Sequence, residues 1–318
     1  MTKQLSFEIE AGAVFAVEEA AIGAFSCVGL GDEMLADQAA ISQMHSALSS
    51  LRVSGQIVFG EGDEYESAQL FDGEKIGTGG LECDIALDAL EGTTLAAKAM
   101  QNALSVIAMT PKGGLLRVPD VYMDKIAIGP NFPQGIVDLD NSVKENIEAV
   151  AKYKGVAPNR IGVCVLDRPR HADLIAELRE IGARVYLIPD GDVAGVIFTT
   201  EPSADVDLYM GIGGAPEGVL AAAALACVGG QFQGRMVIKC EADKNKLRHS
   251  GIDDFSKKYQ LHDLISGEVV FAACGVTDGS FVNGVRHYFN GVETHSLLLR
   301  SNPKIRRIVT TMRLNGRK

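Results

Sequence analysis

The run Asp84-Ile-Ala-Leu-Asp88-Ala-Leu-Glu91-Gly92-Thr93-Thr94 sets two carboxylates three residues apart, just ahead of a glycine-threonine step. An apolar strand ending at Asp88, a two-residue turn and Glu91 at the entry to a helix would let both acids chelate a hard divalent ion. Thr93 would stand where the first amides of a helix point outward to receive an anion, so an ion and a phosphate could meet there. An ordinary strand–turn–helix, with Glu91 and Thr93 as N-terminal caps, fits the same residues equally well. Gly60-Glu61-Gly62-Asp63-Glu64 repeats the theme, because an acid between glycines after an apolar strand can approach an ion closely. Taken alone, that segment reads as a solvated turn. In Gly29-Leu-Gly31-Asp32-Glu33-Met-Leu-Ala-Asp37 the last acid falls at a helix start, and Glu217 follows Gly-Gly-Ala-Pro at the start of an Ala-rich helix. Either could be no more than a carboxylate favoured by the helix dipole. Recurrence favours a metal: Asp37, Glu61, Asp88, Glu91 and Glu217 all sit at strand ends or helix starts beside small residues.

Other residues suit an anionic sugar. Arg168 and Arg170 flank Pro169 at a strand end, where two guanidinium groups could clasp a phosphate, or form a plain surface pair. Asp190 and Asp192 frame Gly191 as ligands or hydroxyl acceptors, although PDGD is more commonly just a turn. Tyr122 could reach a phosphate with its hydroxyl, against the default of a half-buried core tyrosine. Several chemistries are excluded. No glycine pair extends to GxGxxG, and no Gly-Lys dipeptide supports a Walker A loop. No GxSxG elbow is present. The six cysteines form no CxxC pair and have mostly apolar neighbours, which reads as reduced core residues. The six histidines form neither HExxH nor HxxxH, so a metal here would be held by oxygen.

The elements that must position these residues follow from periodicity. Ala36–Leu51 has Ile41, Met44, Leu48 and Leu51 at helical spacing, which puts Asp37 in its first turn. Gln56–Phe59 is a short strand ending at the Glu61 glycines, and Leu104–Met109 with Leu115–Val118 reads as a hairpin. A soft boundary near the Pro-, Gly- and Asn-rich 130–139 stretch divides the chain into domains 1–150 and 151–318. Beyond it, Ile161–Leu166, Arg184–Ile188 and Val206–Met210 alternate with helical runs as βαβαβα. Right-handed crossovers make such strands parallel and gather their carboxyl ends, with the Arg168, Asp190 and Gly214 turns, on one rim. The class is therefore α/β. At 318 residues, 47% hydrophobic and 22% charged, the chain can build a substantial core. A net charge of −11 disfavours nucleic acid as a partner. No signal-peptide pattern or apolar run long enough for a bilayer stands out, so no membrane partner and a cytoplasmic location are expected.

Seven motifs occur here in the order seen in class II, GlpX-type fructose-1,6-bisphosphatases: GEG at 60–62, GEKIGTG at 73–79, DxxEGT at 88–93, PDVYMDK at 119–125, RPRH at 168–171, IPDGDV at 188–193 and GIGGAPEG at 211–218. The chain resembles that family from about Gly29 to Gly234. DxxEGT alone would indicate only the broader lithium-sensitive phosphatase superfamily. The resemblance implies a layered α+β sugar-phosphatase fold of alternating helix and sheet layers. It also implies hydrolysis of fructose 1,6-bisphosphate in gluconeogenesis with Mn²⁺ or Mg²⁺, and a homodimer or homotetramer. On this resemblance Asp37 and Glu61 would hold one metal, and Asp88, Glu91 and Glu217 the other. Thr93, Glu61 and Asp63 are the catalytic candidates, with Thr93 orienting or deprotonating the attacking water. Glu91, Gly92, Thr93, Tyr122, Arg168, Pro169, Arg170, Asp190, Gly191, Asp192 and Gly214 would line the substrate site. Tyr65 stands where the family commonly has an acid, leaving Asp63, Glu64 or Glu66 to stand in. A sedoheptulose-1,7-bisphosphatase or dual enzyme is the alternative within the class. A non-catalytic sugar-phosphate-binding regulator is the alternative outside it.

Overall fold

A computed structural model gives the fold and describes residues 5–62 and 67–315. The chain opens with helices α1 (Phe7–Phe25) and α2 (Glu33–Ser50), strands β1 (Val53–Phe59), β2 (Lys75–Ile76) and β3 (Leu81–Glu91), the short helix α3 (Thr93–Ala97) and β4 (Leu104–Pro111). Next come β5 (Tyr122–Ile128), α4 (Val143–Lys154), β6 (Gly162–Leu166), α5 (Ala172–Ile181), β7 (Arg184–Ile188), α6 (Asp192–Phe198), β8 (Leu208–Gly214) and α7 (Ala215–Val228). Strand β9 (Gln231–Val237), α8 (Glu241–His249), β10 (Lys258–Gln260) and α9 (Leu261–Leu264) precede the closing strands β11 (Val270–Gly275), β12 (Arg286–Tyr288), β13 (Gly291–Ser301) and β14 (Lys304–Leu314). Among the described residues no helix is long and apolar enough to cross a membrane.

Two compact units result, Met1–Leu115 with Gly267–Lys318 and Leu116–Ser266. In the first, the sheet runs β12-β13-β11-β4-β3-β1-β2, and β14 also pairs with β13. Strand β3 lies parallel to β1 and antiparallel to β4, and both of its faces are covered for most of its length. That is why Ile85, Ala86 and Leu87 read as a continuous apolar run. Helix α1 packs on β4 and β11, and on α2, where a Cβ at Gly23 would stand 2.6 Å from Ala39 O.

In the second unit the sheet order is β10-β9-β5-β8-β6-β7. Strand β6 is parallel to β7 and β8, as the βαβαβα pattern predicts, while β5 runs antiparallel to β8 and β9. Ile126, Val163 and Leu208 on one face meet Ile147 and Val150 of α4 and Leu178 of α5 in an apolar core. Helices α6 and α7 pack on each other and on this sheet. Helix α4 begins in a capping box, Ser142 Oγ accepting from Glu145 N (3.2 Å) and Glu145 Oε2 accepting from Ser142 N (2.8 Å). Helices thus layer on a sheet in each unit, the α/β class with its layered α+β build.

Three expectations differ in detail. Residue 150 falls inside α4, and the first unit recruits Gly267–Lys318 because β11 pairs with β4 and carries β13 and β14 with it. Leu115–Val118 does not pair as a hairpin strand; β4 finds its partners in β3 and β11 instead. Helix α2 starts three residues before Ala36, with Asp32 as its cap, its Oδ1 accepting from Leu35 N at 3.0 Å.

Candidate active site

In the first unit Asp88 and Glu91 lie at the end of β3, and Glu61 is hydrogen-bonded to the backbone between them. The β3–β4 register slips by one between Asp88, opposite Val106, and Glu91, opposite Leu104. Such a bulge re-aims the side chains beside it. Asp88 Oδ1 accepts from Leu90 N (3.1 Å), closing the bulge on itself. Glu61, just past the end of the parallel strand β1, accepts from Ala89 N with Oε1 (2.9 Å), which fixes its carboxylate beside the residue that follows Asp88. Glu91 is buried, at 4% exposure. Gly92 then turns the chain at φ 83°, ψ 52° into α3, whose first residue is Thr93. A Cβ at Gly92 would lie 2.8 Å from Leu95 Cδ1 in a backbone conformation that L side chains rarely adopt.

Asp37 comes from α2, which packs on α3, and Gly29 N and Gly31 N tie the loop before α2 to Ala96 O (3.0 Å) and Ala97 O (2.9 Å). Because the helix begins at Glu33, Asp37 lies in the second turn, beyond strong influence of the helix dipole. Burial pushes its carboxyl up to about 6. Asp63 lies outside the described residues, as do Glu64, Tyr65 and Glu66.

In the second unit, parallel β6, β7 and β8 end on one rim, and antiparallel β5 starts there with Tyr122 opposite Gly214. Arg168 Nη2 stands 3.6 Å from Asp190 Oδ1 across the β6 and β7 turns. Pro169 opens a 3-10 turn to His171. Arg170 donates through Nε to Ile212 O (2.8 Å), and its guanidinium lies 5.0 Å from the Tyr122 ring centre. The Arg168-Pro169-Arg170 turn, Tyr122, Asp190 and Gly191 are thus collected on the rim, as the topology requires. Asp192 is more deeply placed than a hydroxyl acceptor would suggest: it is 7% exposed, and its Oδ2 is paired with Lys125 Nζ. Glu217, in the first turn of α7, folds back so closely that a Cβ at Gly214 would stand 1.8 Å from its Oε2. That oxygen is buried and has no hydrogen-bond partner among the described residues. Burial, then the Asp192 carboxylate, pushes Glu217 up to about 7, with Lys125 pulling it down.

Three residues of this rim carried no role in the sequence reading. Lys125, 1% exposed, could have been noticed as a lysine inside the otherwise largely apolar β5 (Tyr122–Ile128). Lys239 lies 3.3 Å from the Tyr122 ring centre, a proximity with no local signal in the sequence. His171 accepts from Ile212 N with Nε2 (2.7 Å), so its proton sits on Nδ1, which donates to Leu166 O (2.7 Å). The ring is therefore a neutral brace between the ends of β6 and β8, and burial holds its pKa below the usual range.

Among the described residues, no group of three or more His, Cys, Asp or Glu side chains is gathered tightly enough to hold an ion as it stands. The donors nevertheless fit a hard divalent ion in kind. They are carboxylate oxygens, Asp37 and Glu217 are pushed up by burial, and Glu217 Oε2 is a buried acceptor without a donor.

The family model for bacterial fructose-1,6-bisphosphatase, glpX-encoded, matches residues 7–313. Similar proteins include those named D-fructose 1,6-bisphosphatase class 2/sedoheptulose 1,7-bisphosphatase from Trichodesmium erythraeum (strain IMS101), 39% identical, and Crocosphaera subtropica (strain ATCC 51142 / BH68), 38% identical, each alignment covering 94% of both chains. A third, from Synechococcus sp. (strain JA-3-3Ab), is 38% identical over 99% of this chain and 96% of its own. With a match that runs through the bulged carboxylates of the first unit and the arginine rim of the second, this chain belongs to the glpX-encoded bacterial fructose-1,6-bisphosphatases, phosphatases that hydrolyse fructose 1,6-bisphosphate.

Proposed function

We propose that this chain removes the 1-phosphate of fructose 1,6-bisphosphate, giving fructose 6-phosphate and phosphate in gluconeogenesis, with Mn²⁺ or Mg²⁺ as the metal. The observation that carries this reading is the bulged end of β3, which presents Asp88, Glu91, Gly92 and Thr93 in one turn with Glu61 hydrogen-bonded into it. Asp37 and Glu61 are proposed ligands of one ion, and Asp88, Glu91 and Glu217 of the other. When bound, such ions supply Lewis-acid stabilisation of phosphoryl charge and a more acidic water. Gly92 and Thr93 contact the reacting phosphate, and Thr93 orients or deprotonates the attacking water together with Glu61. Asp63 belongs to the same catalytic proposal by its motif alone. Tyr122, Arg168, Pro169, Arg170, Asp190, Gly191, Asp192 and Gly214 hold the rest of the substrate, with cationic and hydroxyl-accepting groups on one rim. The proposed assembly is a cytoplasmic homodimer or homotetramer.

The paired activities in the relatives' names favour a second reading, a dual enzyme that also takes sedoheptulose 1,7-bisphosphate. Phosphate release from both bisphosphates and from fructose 6-phosphate, with Mn²⁺, with Mg²⁺ and with chelator, separates the readings. Release from fructose 1,6-bisphosphate only when metal is present supports the proposal, and release from both bisphosphates supports the dual enzyme. No release in any arm contradicts both readings and favours a sugar-phosphate-binding regulator.

A further inference from the structure

The geometry points to Lys125 as a positioning residue of the substrate rim: its buried ammonium fixes the carboxylate of Asp192, and through Asp192 it sets the affinity for the sugar bisphosphate. This rests on the reading of Asp192 as a substrate-binding residue. Lys125 lies on β5 with 1% of its surface exposed, and Nζ is paired with Asp192 Oδ2. Burying an ammonium costs several kcal/mol unless a counter-charge and hydrogen bonds meet it, so a lysine kept here without a task would be a net loss.

The backbone around the pair is cleared for it. A Cβ on Gly213 would stand 1.9 Å from Asp192 Oδ2 and 3.0 Å from Lys125 Nζ, and one on Gly218 would stand 3.3 Å from Lys125 Cε. Both glycines belong to the GIGGAPEG segment, and Lys125 closes PDVYMDK, so two motifs without an assigned role in this contact meet in it. A second carboxylate lies close by: a Cβ on Gly214, the residue after Gly213, would stand 1.8 Å from Glu217 Oε2. The carboxylates at the starts of α6 and α7 thus border the glycine pair Gly213-Gly214, and Asp192 is the one paired with the cation. Without that cation the Asp192 carboxylate would be left buried and without its counter-charge. Lys125 itself touches no substrate; it holds Asp192 in one rotamer on a rim that also carries Asp190, Arg168 and Tyr122.

The test is steady-state kinetics on the full-length enzyme at saturating Mn²⁺ with fructose 1,6-bisphosphate, comparing Lys125→Met, Lys125→Gln, Asp192→Asn and the double variant Lys125→Met/Asp192→Asn. The expected result is a rise in KM of roughly tenfold or more for Lys125→Met with kcat within about threefold of the parent, a cost comparable to losing a charge-assisted hydrogen bond. Lys125→Gln, which keeps a donor, falls between Lys125→Met and the parent. The double variant is no worse than Asp192→Asn alone, because residues that act through one another are not additive. If Lys125→Met does not fold, Lys125→Gln and its double variant with Asp192→Asn carry the same comparison. Effects that multiply in the double variant, or a KM unchanged by the Lys125 variants while Asp192→Asn raises it, overturn the role of Lys125. A KM unchanged by Asp192→Asn itself instead removes Asp192 from the substrate site, a distinct failure.

Discussion

Thr93 opens α3 directly after a left-handed glycine and two residues after the buried Glu91, so its hydroxyl is held by backbone geometry in the turn that carries the carboxylates. A group that orients or deprotonates the nucleophile matters in the transition state and little in the ground state. Thr93→Ala is therefore expected to lower kcat by about 100-fold or more with KM within about threefold, and steady-state kinetics checks it. An equal loss in kcat/KM arising from KM alone would assign Thr93 to binding. Glu61, Asp88 and Glu91 were legible as a group because glycines and an abrupt end to an apolar strand mark them in one dimension. The commitment of Asp192 to Lys125 and the bracing of two strands by His171 were not, since each depends on partners 67 and 41 residues away.

At the scale of elements, the parallel strands β6, β7 and β8 and the helical runs that alternate with them were readable from their periodicity, whereas α4 and β9 were not picked out. Nor was the role of β4: it bonds to β3 on one side and to β11, over 150 residues later, on the other, a pairing without local signature. Charge ties the strands that follow β11 to the first helix. Arg300 on β13 donates to Glu268 Oε1 through Nε (2.8 Å) and to Glu10 on α1, and Arg307 on β14 reaches Glu10 Oε2 (2.9 Å). Glu10 and Arg300 are buried, so removing one partner strands the other's charge. Arg300→Met is expected to destabilise the first unit by about 3–5 kcal/mol, read as a lowered urea midpoint for that unit. A midpoint equal to the parent's would show that the buried cluster contributes only packing.

For the whole molecule, the net charge of −11 would repel a sugar bisphosphate were the rim arginines and bound cations not to reverse the sign locally. The composition disfavoured a polyanion held by general surface charge, but did not show which acids would bear the cost of burial. Asp37 and Glu217 bear it: their carboxyls are pushed up to about 6 and about 7. Both values lie above those of an unfolded chain, so the metal-free native state holds extra protons between about pH 4 and 7. Its stability contribution from these groups is present at low pH and is lost as pH rises through that window. A divalent ion replaces those protons, so saturating Mn²⁺ should raise Tm more at pH 8 than at pH 5. Thermal unfolding with and without Mn²⁺ at the two pH values checks this, and an equal rise at both would contradict it.

The claim on which the functional account rests is that carboxylates brought together by the bulge of β3 hold the catalytic metal. Anomalous diffraction from crystals soaked in Mn²⁺ locates the ion directly. The expected result is a peak in coordination contact with carboxylate oxygens of both Asp88 and Glu91. Strong Mn²⁺ peaks elsewhere on the chain, with none touching those two residues, would contradict it.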